Sequence, residues 1–130
     1  MIKICHFFCN PYGECAYVIS DGAGAGAVID PGFLGEDETA ALDTCLSERG
    51  IRLQAVLLTH AHFDHIYGVK HCTERYGGPV YLHPDEAVIL SDAALIAAEG
   101  RMPVPDTQWS FLEVHEGDMI RIGDLKLRVI

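Results

Sequence analysis

The chain has 130 residues, is 49% hydrophobic and carries a formal charge of −10, so it can build one core, while its acidity excludes nucleic acid and anionic membrane surfaces as natural partners. No apolar run approaches the length of a membrane span, and the first residues, Met1-Ile2-Lys3-Ile4-Cys5-His6, read as a strand and not as a signal peptide. The five cysteines (Cys5, Cys9, Cys15, Cys45 and Cys72) are odd in number and scattered, which fits free thiols and a cytoplasmic location better than a disulfide framework.

In chain order, residues 2–8 read as a strand, Asn10-Pro11-Tyr12-Gly13 as a turn and residues 15–20 as a second strand. The glycine-rich run at residues 21–26 lacks the Lys-Ser/Thr ending of a phosphate loop and runs into a strand, so it reads as a hairpin connection. Residues 27–30 form a third strand that ends in Asp30 and is stopped by Pro31-Gly32. Residues 36–49 read as a helix: Glu36, Asp37 and Glu38 suit the positive end of its dipole, Leu42, Cys45 and Leu46 share a face, and Gly50 stops it.

An apolar strand follows at residues 53–59, then a helix at 66–76 closed by Gly77-Gly78, then a short strand at 79–83. Pro84 opens a helical region, and Ser91 is expected to cap a further helix that runs through Ala98 and stops at Gly100. Pro103 and Pro105 mark a loop. Strands are expected at residues 110–114, 119–122 and 125–130; the last two alternate apolar and charged residues about Gly123-Asp124, a hairpin with one face in need of a core. Helices alternating with strands predict an α/β arrangement in one domain spanning residues 1–130.

The segment Thr59-His60-Ala61-His62-Phe63-Asp64-His65 places three imidazoles and a carboxylate directly after a buried strand. On extended backbone His60 and His62 point the same way and reach one cation, while Asp64 and His65, one turn further, can face a second. Imidazole with carboxylate and no thiolate suits zinc, with iron or manganese as alternatives. Two such ions close together acidify water, which is the basis of a hydrolase.

This His-x-His-x-Asp-His run resembles the signature of the metallo-β-lactamase superfamily. Asp30-Pro31-Gly32, the helix, the strand and the motif stand in that family's order, and Gly78-Pro79-Val80-Tyr81-Leu82-His83-Pro84 with the closing hairpin looks like the glyoxalase-type branch, the hydroxyacylglutathione hydrolases. The resemblance implies a metallo-β-lactamase-type αββα sandwich, α/β in class (α+β by some schemes), with a mixed sheet and flanking helices. It implies that His60 and His62 bind one zinc, that Asp64 and His65 bind a second, and that Asp64 orients the nucleophilic hydroxide. Asp30 would be the carboxylate that fixes a ligand from behind. The implied activity is zinc-dependent hydrolysis of a small-molecule thioester or related ester. The Asp at the third signature position argues against the redox di-iron branch, and the lack of an export signal argues against a β-lactamase.

The same family continues past the hairpin with a Thr-Pro-Gly-His-Thr-like segment, a bridging Asp and a final His, none of which precedes Ile130. The chain is therefore expected to be the N-terminal portion of such a domain, roughly its first half to two-thirds. The alternative function is a catalytically incomplete fragment with a partial metal site, whose open sheet face is covered by a homodimer. His71, His83 and His115 are expected to be structural or exposed, and Tyr12 and Tyr17 to pack. Cys5, His6 and Cys9 are not expected to form a second zinc site, nor Cys72 with His71 a nucleophile pair.

Overall fold

A computed structural model describes residues 2–130. Strands β1 (Lys3–Cys9) and β2 (Glu14–Ser20) pair antiparallel across a turn in which Gly13 N donates to Asn10 O at 3.1 Å. Strand β3 (Ala25–Ile29) pairs antiparallel with β2. The glycine-rich connection between them is closed by Asp21, whose Oδ1 accepts from Ala23 N at 2.7 Å and whose N–H donates to Ala25 O. It is the expected hairpin link.

Three helices then carry the chain between parallel strands. Helix α1 (Gly35–Arg49) leads to β4 (Arg52–Leu57), α2 (Val69–Tyr76) to β5 (Val80–Leu82), and α3 (Ala87–Glu99) to β6 (Leu112–Glu113). The result is a six-stranded mixed sheet in the order β1-β2-β3-β4-β5-β6, with the last four strands parallel. Strands β7 (Met119–Ile122) and β8 (Leu125–Arg128) form a separate antiparallel hairpin. The mixed sheet and flanking helices match the expected fold class.

Alternation along the strands sends side chains to two cores. Val18, Val28, Val56, Val80 and Leu82 meet the helices through Leu42 and Leu46 of α1, Val69 and Cys72 of α2, and Ala93 and Ala97 of α3. Ile19, Ala25, Ala27 and Ala55 meet Ile120, Ile122 and Leu125 of the hairpin on the other face. A register break helps to set this division: Gly26 lies opposite Leu53 but Ala27 lies opposite Ala55. The bulge at Gln54 reverses the parity, so Leu53 and Ala55, two residues apart, enter different cores.

The structure corrects two boundaries. Ser91 does not cap a helix; α3 runs unbroken from Ala87, and the Ser91 hydroxyl donates to Val88 O at 2.7 Å inside it. The strand expected at residues 110–114 contracts to Leu112–Glu113, which is all that pairs with β5. Among the described residues no helix is long and apolar enough to cross a membrane.

Candidate metal centre

The parallel strands β3, β4 and β5 end at one edge of the sheet, where open α/β sheets place their ligands. Asp30 follows β3 directly, and Thr59 with the histidine motif follows β4. Asp30 N donates to Leu57 O at 2.9 Å, which joins the two strand ends. Asp30 sits in the left-handed region at φ +50, an uncommon conformation for a side-chain-bearing residue that Asp tolerates better than most.

Asp30 is 5% exposed. Its Oδ1 accepts from Thr59 N at 2.8 Å and its Oδ2 from the Thr59 hydroxyl at 2.5 Å. Because that hydroxyl spends its proton on Asp30, its oxygen can only accept from His60 Nδ1, 2.9 Å away. His60 then carries its proton on Nδ1 and offers the Nε2 lone pair to a cation. Burial, followed by the neighbouring His65, lowers the His60 pKa and favours the neutral form that binds metals.

The His60 ring centroid lies 4.6 Å from that of His62 and 4.0 Å from that of His65. His65 Nδ1 faces two acids, Asp30 Oδ2 at 3.1 Å and Glu14 Oε1 at 3.4 Å, while its Nε2 lies 3.6 Å from Asp64 Oδ2. Burial alone would lower the His65 pKa; the Asp30 contact, with the charges of Asp64 and Glu14, outweighs it and raises the value. One ligand atom from each of Asp30, His60 and His65 falls within a 4.8 Å group. Asp30 thus stands against His65 Nδ1, on the side of the ring away from Asp64. His62 and Asp64 lie outside that compact trio and line a cavity of about 220 Å³ with Phe63, Ile89, Ala93 and Ile96.

This donor set suits a divalent cation. It consists of imidazole nitrogens and carboxylate oxygens, with no thiolate among them, a composition for zinc, iron or manganese. Among the described residues, both Glu14 oxygens and His65 Nδ1 are buried without a hydrogen-bond partner. Burial pushes the Glu14 carboxyl up to about 8, against the opposing pull of His65. Uncompensated acids around imidazoles are what a cation would relieve.

Residues outside the motif hold it in place. Asn10 Nδ2 donates to Gly32 O at 3.0 Å and to Asp64 O at 2.9 Å, while Glu38 accepts from the Asn10 and Leu34 amides. Glu86 Oε1 accepts from Ala61 N at 2.8 Å and anchors the middle of the motif. A Cβ on Gly32 would lie 2.2 Å from Asp64 O and 2.3 Å from Glu14 Oε2, so only glycine fits there. Sequence reasoning missed Asn10, Glu14, Glu38 and Glu86; the Pro-Gly pair at 31–32 was the one visible sign of the tight packing.

The remaining candidates fall elsewhere. His71 pairs with Asp43 at 3.0 Å, His83 Nδ1 accepts from Asp85 N, and His115 is exposed beside Asp118. His6 stacks on Tyr17, on the sheet face opposite Cys5. Cys72 is buried, with its thiol pushed up to about 12 by desolvation, which makes it inert.

Residues 11–128 match the family model for the metallo-beta-lactamase superfamily. A hydroxyacylglutathione hydrolase of Stenotrophomonas maltophilia (strain R551-3) is 31% identical over 118 residues, which cover 83% of this chain and 44% of that relative. Among solved structures, the BLEG-1 B3 metallo-beta-lactamase aligns with a TM-score of 0.79 at 29% identity, over 97% of this chain and 59% of that one. TTHA1623 in a di-iron-bound form aligns with a TM-score of 0.76 at 33% identity, over 89% of this chain and 56% of that one. The match spans from 30% to 53% of the curated relatives' length and 59% of the BLEG-1 chain.

Proposed function

The chain belongs to the metallo-beta-lactamase superfamily, and from that premise we propose that it carries the metal-holding part of a hydrolase for a small-molecule thioester or related ester. His60 and His62 would hold one cation, and Asp64 and His65 a second, with Asp30 behind His65. The observation that carries the reading is the convergence of the three imidazoles and Asp64 at the end of the parallel strands. Similarity to a hydroxyacylglutathione hydrolase supports the thioester class. Zinc is the first choice of ion, and the di-iron form of TTHA1623 makes iron its nearest rival. A cytoplasmic setting is supported by the free thiols.

When bound, a divalent cation supplies Lewis acidity, acidifying water and polarising a carbonyl. The chain's own residues do the placing. Thr59 fixes the His60 tautomer, Asp64 would orient the attacking water, and the aliphatic wall of Ile89, Ala93 and Ile96 beside His62 would receive the acyl side of the substrate. Metal analysis after dialysis against zinc, iron or manganese, followed by a thiol-release assay on an aliphatic acyl thioester, tests this. The expected result is metal uptake and thioester cleavage, both lost in His60→Ala/His62→Ala. Uptake equal in that variant, or cleavage without metal, removes the reading.

A homodimer is part of the proposal, supported by an open apolar face. In the β1–β2 pairing, Ile4 lies opposite Ile19, which belongs to the core under the hairpin. That face continues outward through Ile4 and Phe8, which are 61% and 75% exposed, with His6 between them against the Phe8 ring.

A further inference from the structure

We infer that Glu14 is a positioning residue of the metal centre, sharing the Nδ1 side of His65 with Asp30 so that Nε2 is presented beside Asp64. The inference rests on the metal site proposed above. Glu14 opens β2, its side chain is 1% exposed, and its Oε1 lies 3.4 Å from His65 Nδ1. Neither of its oxygens has a hydrogen-bond donor among the described residues. A buried carboxylate left in that condition is costly, and proteins keep one where it serves a site.

Asp30 divides its carboxylate between two residues. Its Oδ1 is taken by the Thr59 amide and its Oδ2 is shared between the Thr59 hydroxyl and His65. Glu14 is the second acid facing the same nitrogen, 3.4 Å away. Its place is fixed by packing: the missing side chain of Gly32 leaves the space that Oε2 fills, and Asn10 pins Gly32 through its carbonyl. Two acids on one imidazole nitrogen keep its proton there and its ring at a set angle, leaving the far nitrogen for a cation.

The test uses Glu14→Gln, which keeps the shape and replaces the carboxyl group with an amide, on the full chain. Zinc affinity by chelator competition, the visible absorption bands of the cobalt(II) form and the thermal midpoint of the metal-free protein are measured together. Glu14→Gln is expected to fold with an unchanged or higher midpoint, to bind zinc about 10- to 100-fold more weakly and to shift the cobalt bands. An affinity within about twofold of the native chain, with unchanged bands, overturns the inference while leaving the metal site intact. Failure of the native chain to bind zinc or cobalt overturns both. If Glu14→Gln does not fold, Glu14→Asp, which withdraws the carboxyl group by one methylene, must weaken zinc binding; native affinity there, or loss of fold in both variants, assigns Glu14 to packing alone.

Discussion

Thr59 links the two halves of the site through one hydroxyl, donating to Asp30 and accepting from His60. Thr59→Val keeps the shape and removes that link. The change should cost about 1–3 kcal/mol in urea unfolding, because Asp30 Oδ2 loses a buried donor, and it should weaken metal binding as His60 becomes free to move its proton to Nε2. Glu14 sets a pH dependence of its own. Burial raises its carboxyl from 4.5 to about 8, so the folded chain keeps a proton that the unfolded chain has released. Stability of the metal-free protein should therefore fall as pH rises from about 4.5 towards about 8 and level off above that. His65 adds to the trend: its pKa is raised above 6.5, so its contribution is full below that value and is lost as pH climbs through the folded one. Urea midpoints of chelator-treated protein at about pH 5 and pH 8 check this; Glu14→Gln should flatten the fall and leave the His65 part. The motif was readable because its residues are local in sequence, whereas Asp30, 29 positions from Thr59, entered only through the resemblance of Asp30-Pro31-Gly32 to the family's order. Glu14 and Asn10 were not readable, since neither a strand's first residue nor a turn residue declares a partner as distant as His65 or Asp64, the latter 54 positions from Asn10.

Helix α1 shows what an element's own pattern reveals and what it hides. Its acidic first turn, the buried pair Leu42 and Leu46 and the left-handed Gly50 were all readable, because each follows from helical periodicity or from a cap. Leu42 is fully buried against the sheet, so Leu42→Ala should lower stability by about 2–5 kcal/mol in urea unfolding. Cys45 read as one more residue of that face, yet its Sγ lies 3.5 Å from Sγ of Cys5 in β1. A mild oxidant should join the two with loss of both thiol hydrogens. The cross-link spans 40 positions, and by loop closure it should raise stability by about 3–4 kcal/mol. Mass spectrometry of the oxidised protein checks the bond, and Cys45→Ser should abolish it while buried Cys72 stays reduced. The bulge at Gln54 and the unbroken start of α3 escaped sequence reasoning for two reasons: a neighbouring strand sets the first, and in the second the Ser91 hydroxyl bonds back to Val88 O within the helix where a cap was expected.

At the scale of the whole molecule, two terms oppose each other. The hairpin β7–β8 covers the sheet over β3 and β4 but leaves Ile4 and Phe8 of the edge strand β1 in solvent. Burying such a stripe favours association. A formal charge of −10 on each copy opposes it, through repulsion that salt screens within about 8–10 Å near physiological ionic strength. The chain should therefore dimerise in a concentration-dependent way, and more strongly as salt is added, the reverse of an association held by ion pairs. Light scattering across a range of protein and salt concentrations reads this directly. Phe8→Lys should shift the population to monomer without loss of fold, because the side chain is already exposed; a native chain that stays monomeric at every concentration and salt level contradicts the dimer. The metal-site readings are separable from that outcome, since Ile4 and Phe8 contribute no side chain to the group formed by Asp30, His60 and His65.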